Sequence, residues 1–429
     1  MGNHSSINIY LDYGATTPVR AEVLEVMIPY LRDQFGNPSS PYLMGLEAKE
    51  AIEKARSEIA HLIGARADEI IFTSGATEAN NLAIQGISFA NIHKGNHIIT
   101  SSIEHLSVLN TCRFLERQGF QVTYVRVDRH GRVEPDEIKK KITPKTILIS
   151  IMHANNEIGT IQPIKEISKI AQERQIIFHT DAAQTIGKAE INVNELGVDA
   201  LSFSAHKIYG PKGVGALFLK KGINIRPIIF GGDQERGFRA GTENVAAIVG
   251  MAQALRLIKT ELQKEVERES LLAKTLLEGI IKKIDGVFLN GDPLLRVPGN
   301  LHFSFSGLDG QKLAEFLDEK GIQVSTGSAC SSLHNHPSHV LEALGLADDL
   351  AIGSIRINIG LYTKSEDIEY VLKVFPEAVE KCRKIGVDLR KKETILREKV
   401  LEAYQTGRGC ASVKKLAWAY FINKLIKRK

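Results

Sequence analysis

The chain has 429 residues, 43% hydrophobic and 24% charged, a composition of ordinary globular proteins; at ~150 residues per domain this implies two or three domains. No apolar run approaches the ~18 residues of a membrane span, and MGNHSSINIY lacks the basic and apolar regions of a secretory leader. Four scattered cysteines (Cys112, Cys330, Cys382, Cys410) form no CxxC pair, which argues against a disulfide scaffold or zinc cage and for a reducing, cytoplasmic setting.

The net charge of +5 is local. Residues 403–429 hold seven basic residues and no acidic one; removing those seven from the 55 Lys and Arg leaves 48 against 50 Asp and Glu. The body is near neutral, so no direct nucleic-acid contact is expected.

In chain order, EIIFTSG, NHIITSS, FQVTYVRV, TILISIMH, IIFHTDA, ALSFSAH and GALFLK read as strands: short, rich in β-branched residues, bounded by polar or small ones. Amphipathic stretches such as SVLNTCRFLERQG and IKEISKIAQERQ lie between them. That alternation predicts an α/β fold with a mostly parallel sheet. A long charged helix is expected from Ala254, with a domain boundary near Arg256. NLHFSFSG, QVSTG and SIRINIG are the expected strands of a second, smaller α/β unit. The expected division is an N-terminal segment at 1–15 packing with the small domain, a large domain at 16–255, a small domain at 256–386 and a basic helical tail at 387–429.

Ligands of open α/β sheets bind at the carboxyl ends of the strands, and several polar clusters fall there. TSGATEANN opens a helix after EIIF, where free backbone N–H groups suit a phosphate; an ordinary capped turn reads equally well. It is not a P-loop, since no GK[ST] follows. In FHTDAAQ, Asp181 ends an apolar strand, where a carboxylate must be paired or exposed. It can cap the next helix or hold a protonated ring nitrogen. In SFSAHKIYGPKG, Lys207 follows Ser204 and His206; a lysine becomes a nucleophile near neutrality only where its surroundings disfavour the charge. STGSACSSLHNHPSHV sets Cys330 among small polar residues, unlike a core thiol.

Taken with LDYGATTPV, SSIEH, SIMHANNEIGTIQPI, HTDAAQTIGK and ERGFRAGTEN, these strings resemble the cysteine desulfurases, pyridoxal-phosphate (PLP) enzymes of fold type I related to the class V aminotransferases. The resemblance runs from about residue 7 to 383. It implies a large PLP-binding domain with a mostly parallel central sheet and a smaller α/β C-terminal domain. Lys207 would carry PLP and move the substrate α-proton, and Asp181 would pair with the pyridine nitrogen. His105 would stack on the ring and share in proton transfer. Ala76, Thr77, Ser204 and His206 would hold the phosphate, and Gln184 would contact the ring oxygen. Thr242 would reach the phosphate of a neighbouring subunit, which implies a homodimer. Asn156 and Arg356 would grip the substrate carboxylate. Cys330, as thiolate, would attack the sulfur of L-cysteine, leaving a persulfide on the protein and L-alanine as product; a proton acceptor, His105, would assist.

The implied partner is a sulfur-acceptor protein, either an iron–sulfur scaffold or a tRNA-thiolation carrier. Selenocysteine lyase and class V aminotransferase are alternative activities. A scaffold subunit needs none of Lys207, Asp181, His105, Arg356 or Cys330. No metal is expected: Cys330, His334, His336 and His339 are potential ligands, but solvated loop histidines and a helix start account for them. GLYTKSED follows Arg356 where the family often has a second arginine and paired threonines, so no substrate contact is assigned there. The tail SVKKLAWAYFINKLIKRK, with Trp418, has no clean amphipathic face. It reads as a helix packed on the protein itself, with acceptor docking or contact with an anionic membrane as alternatives. MGNHSS fits the loose M-G-x-x-x-[ST] acylation pattern, which arises often by chance.

Overall fold

The computed structural model describes residues 8–326 and 337–406, with side chains through residue 385. The first strand, β1 (Ile9–Tyr10), stands apart from the main sheet. That sheet is built from β2 (Ile70–Thr73), β3 (His97–Ser101), β4 (Gln121–Val125), β5 (Thr146–Ser150), β6 (Ile177–Asp181), β7 (Ala200–Ser204) and β8 (Gly215–Leu219), in the order β2-β8-β7-β6-β5-β3-β4. These are the seven strands expected from the sequence. From β4 through β7 the neighbours pair in parallel, while β8 runs antiparallel to both β7 and β2.

Alternation of side chains across the pleat assigns the strands to two cores. Ile71, Ile98, Leu148 and Leu217 face one side, against the helices Ala76–Ala90 and Leu106–Arg117. Ile70, Phe72, Ile99, Ile149, Phe178, Leu201 and Phe203 face the other, against Leu43–Ile63, Ile164–Glu173 and the first half of Val245–Lys283. Covered on both faces, the strands are apolar almost throughout, as parallel strands must be.

A second, antiparallel sheet contains β9 (Val287–Asn290) and β10 (Asn300–Phe305). Next in the chain, β11 (Ile322–Gln323) pairs in parallel with β1. The last strand, β12 (Ser354–Asn358), completes the second sheet in the order β12-β10-β9. Its apolar face (Leu301, Phe303, Phe305, Ile355, Ile357) packs on the helices Gly310–Glu319 and Ser365–Thr406 and on the second half of Val245–Lys283. Its other face is polar but equally buried, with Asn300, His302, Ser304, Ser354, Arg356 and Asn358.

The long helix begins at Val245, nine residues before the expected Ala254. Asn244 caps it, its Oδ1 accepting from the Ala247 N–H at 3.2 Å. The apolar run VAAIVGMAQ conceals this start, because its helical period disappears where every side is buried. The helix is continuous through residue 256.

A buried ion pair fixes the segment before this helix. Arg56 Nη1 and Nη2 meet the Glu235 carboxylate at 2.7 and 2.8 Å, both side chains being almost wholly buried. Glu235 also accepts from the Phe72 N–H at 2.8 Å, and Arg56 donates to the Ile70 carbonyl at 2.9 Å. The guanidinium lies 4.7 Å from the Phe72 ring centroid. Glu235 and Arg236 have left-handed φ values of 46° and 59°, tolerated because these contacts over-determine the turn. Glu235→Ala leaves the buried Arg56 with the more exposed Glu53 as its carboxylate partner and is expected to cost about 3–5 kcal/mol. Urea unfolding checks this; the double variant Arg56→Met with Glu235→Leu should lose less.

Candidate active site

The site forms along the carboxyl ends of β2, β3, β5, β6 and β7, as the polar clusters predict. Ser204 ends β7 and Thr73 ends β2; both pair with Gly215 of β8 between them. A Cβ on Gly215 would lie 2.6 Å from the Gly75 Cα, so only glycine admits this approach. The turn at Gly75 thus lies beside the strand end that carries Ser204. Ala76 and Thr77 form the first turn of the helix Ala76–Ala90, whose opening N–H groups point outward along its axis. Ser204 Oγ is buried and has no hydrogen-bond partner among the described residues.

Asp181, at the end of β6, is 6% exposed. Its Oδ1 accepts from the Ala183 N–H at 2.9 Å and its Oδ2 from Asn80 Nδ2 at 2.6 Å. The Asn80 amide also donates to Ser107 Oγ at 2.9 Å, and its Oδ1 is buried without a partner. Ser107 stands 2.8 Å from His105 Nδ1 through its hydroxyl and 3.1 Å through its N–H. A backbone N–H can only donate, so Nδ1 accepts and the neutral ring carries its proton on Nε2. Burial, then Lys207 and His339, hold the His105 pKa below the usual value against the opposing pull of Asp181. Asp181, His105, Lys207 and His339 therefore share one electrostatic environment.

Lys207 closes the short 3-10 turn Ala205–Lys207 after β7. Its Nζ donates to the Gly14 carbonyl and, at 2.7 Å, to that of Ala15. Gln184 Nε2 donates to the same Gly14 carbonyl at 3.1 Å. His206 Nδ1 lies 3.2 Å from Thr16 Oγ1, and burial, with Lys207 and Lys212 adding to it, pushes its pKa down to about 4. Arg356, from the middle of β12, sends Nη2 to Asp12 Oδ1 at 2.7 Å and Nη1 to the Asn156 carbonyl at 2.9 Å.

Most of the expected residues are thus gathered into one region. Thr242 is exposed on the loop before Val245. Cys330, His334 and His336 lie outside the described residues. His339 opens a short helix, its Nε2 3.0 Å from the Glu104 carbonyl. Among the described residues no cluster of His, Cys, Asp and Glu has the geometry to hold a metal.

Several participants were not singled out from the sequence. Asp12, Gly14, Ala15 and Thr16 all come from LDYGATTPV, which offered no titratable cluster beyond one Asp. Asn80 sits in TSGATEANN as one amide among several. Glu104 and Glu157 are fully buried carboxyls. The sole signal of Glu104 was its place beside His105. Glu157 Oε2 accepts from Ser338 Oγ at 2.6 Å.

The residues present fit PLP. An orphaned buried hydroxyl beside a helix N-terminus suits a phosphate. A buried carboxylate held by an amide suits a pyridinium, and the Lys207 amine, once it gives up its proton, can add to an aldehyde carbon.

Comparison with known proteins agrees. Residues 9–371 match the family model described as aminotransferase class V. A protein of Dictyoglomus turgidum named cysteine desulfurase IscS is 56% identical over 378 residues, covering 88% of this chain and 96% of that one. One of the same name from Methanosarcina thermophila is 52% identical, covering 88% and 93%. A solved structure titled NifS-like protein superposes with a TM-score of 0.83 at 40% identity, covering 87% of this chain and all of the other. One titled SspA in complex with cysteine gives 0.75 at 40% identity, covering 83% and all of it.

Glu104 provides a pH test. Burial raises its pKa to about 8, opposed by hydrogen bonds from Ser101 Oγ (2.6 Å) and the Met152 N–H (3.0 Å). A carboxyl that is more basic folded than unfolded retains its proton on folding, so its contribution is lost as pH rises from the unfolded value towards 8. The stability of the wild type relative to Glu104→Gln should fall between about pH 4.5 and 8 and level off above. Melting temperatures of the two proteins across pH 5–9 check this.

Proposed function

This chain belongs to the class V aminotransferase family and is a PLP-dependent cysteine desulfurase; from that premise we propose the roles of its site residues, its assembly and its partner. The observation that carries the assignment of roles is the convergence of Lys207 and Arg356 on one segment, residues 12–15. It supports a site with an amine-facing end at Lys207 and a carboxylate-facing end at Arg356, the two poles of an amino acid.

Bound PLP supplies an electron sink for the charge that develops at the substrate α-carbon. Asp181, fixed by Asn80 and the Ala183 N–H, holds a proton at the pyridine nitrogen. Ala76, Thr77, Ser204 and His206 hold the phosphate, and Thr242 offers its hydroxyl to the phosphate of a second subunit. Gln184 orients the ring oxygen. Arg356 and Asn156 bind the substrate carboxylate, so the α-proton faces the Lys207 amine that removes it. His105, neutral and held at Nδ1 by Ser107, shares in proton transfer, and Cys330 reacts as its thiolate. Cys330 Sγ forms a bond to the substrate sulfur as that sulfur's bond to Cβ breaks. A persulfide remains on the protein, and the three-carbon fragment leaves, after protonation, as L-alanine.

The cytoplasm suits a persulfide chemistry that needs reduced thiols. Among the described residues no helix is long and apolar enough to cross a membrane. The name shared by the relatives supports delivery of sulfur to an iron–sulfur scaffold, with a tRNA-thiolation carrier as the other acceptor class. The separation of the main-sheet cores from the core of the second sheet supports reading 16–255 and 256–386 as large and small domains. Residues 8–15 join the latter through β1.

A homodimer accounts for an exposed apolar strip. Leu24, Ile28 and Leu31 line the outer face of the helix Ala21–Arg32, followed by Phe35, Tyr42, Leu43 and Leu46, with Leu31, Phe35 and Leu43 each more than 60% exposed. Such a contiguous surface marks an interface. Sedimentation should show a dimer that Leu31→Asp with Leu43→Asp converts to monomer.

The decisive assay follows alanine and sulfide release from L-cysteine with a thiol reductant. Wild type should release both. Cys330→Ala should retain the yellow cofactor but fall by at least about a hundredfold, and Lys207→Ala should lose turnover as well. Wild-type activity in Cys330→Ala would overturn the nucleophile assignment.

A further inference from the structure

Arg356 is 2% exposed, and two of its three nitrogens have protein partners before any substrate arrives. Asp12 is the one carboxylate ion-paired with it among the described residues. Burial raises the Glu157 pKa, and Arg356 is among the groups that oppose that rise. On its own sheet Arg356 pairs across from His302, whose Nδ1 accepts from Asn290 Nδ2 at 2.9 Å. Burial, and then Arg356 and Arg296, keep that ring neutral. Asp12 is thus the group that balances a buried guanidinium, whose charge would otherwise be costly.

The placement of Asp12 is tightly set. Its main chain bridges to Asn358 beside Arg356 on β12, Asn358 N–H donates to the Leu11 carbonyl at 2.7 Å, and Tyr10 Oη donates to the Asp12 carbonyl at 2.9 Å. Its side chain keeps 17% exposure, against 3% for that of Arg356, so Asp12 is the more accessible partner of the pair. Arg356 Nε is buried without a hydrogen-bond partner among the described residues. A carboxylate entering here meets a cation already shared with Asp12.

We propose that Asp12 is a positioning residue, a resident counter-ion of Arg356 that the substrate carboxylate must share or displace. This rests on the reading of Arg356 as the carboxylate-binding residue. Substrate and product carry the same carboxylate, so an unopposed Arg356 would grip L-alanine as firmly as L-cysteine and add nothing to turnover. The Asp12 charge weakens that grip for both and speeds clearance of the product.

The test is calorimetric titration of the PLP-loaded protein with L-alanine and with L-alaninamide, which lacks the carboxylate. Asp12→Asn retains an oxygen acceptor for Nη2 and removes the charge; Asp12→Ser removes the charge with a different shape. Both should bind L-alanine roughly tenfold more tightly and L-alaninamide within about twofold of wild type. Unchanged or weaker L-alanine binding, or equal shifts for both ligands, overturns the inference. Arg356→Gln separates the two levels of the argument. If it leaves the preference for L-alanine over L-alaninamide intact, the reading of Arg356 is wrong. If it erases that preference while the Asp12 variants leave L-alanine binding unmoved, Arg356 stands and the role of Asp12 falls.

Discussion

The site depends on one stretch of backbone. Residues 9–17 pair with β11, bridge to Asn358 on β12, pass under Lys207 and end against His206 and Tyr209. Two carbonyls face Lys207, one carboxylate faces Arg356 and one hydroxyl faces His206. The main sheet supplies Asp181, Ser204 and Lys207; the second sheet supplies Arg356. Neither can set its distance from the other alone. The segment helps to set it through hydrogen bonds, together with the Arg356 bond to the Asn156 carbonyl and the helix Val245–Lys283.

Around this link the charges are arranged by burial more than by number. Asp181 lies among an amide, a backbone N–H and the neutral side of His105. Glu104 and Glu157 are buried with hydroxyl and N–H donors in place of cations, and both are raised in pKa for that reason. His153, His179 and His302 are likewise pushed towards neutrality by burial. Such neutral polar groups hold direction without adding net charge, so the field in the site comes mainly from Asp181, Lys207, Arg356 and Asp12.

Much of this was legible in the sequence. The seven strands of the main sheet declare themselves because each is short and rich in β-branched or aromatic residues, and three of them end on polar residues near the site, Ser101, Asp181 and Ser204. Lys207 stood out by the string around it. Other features were hidden for physical reasons. β1 and β9 are too short or too exposed to show a period, and the start of the helix at Val245 is buried on all sides. The hydrogen bonds of Gly14 and Ala15 come from carbonyls, which every residue carries and no sequence pattern marks. Asp12 lies more than 300 residues from Arg356, a pairing that only tertiary structure reveals.

The helix Val245–Lys283 runs through both cores without a break. At 1.5 Å per residue it extends ~58 Å. Its first half gives Val245, Ile248, Met251 and Leu255 to one core, and its second gives Leu272, Leu276 and Ile280 to the other. Cutting the chain near residue 256 would sever one rod and separate its capped first turns from the longer remainder. The two cores are therefore welded into one cooperative folding unit, in which loosening either end withdraws support from the other.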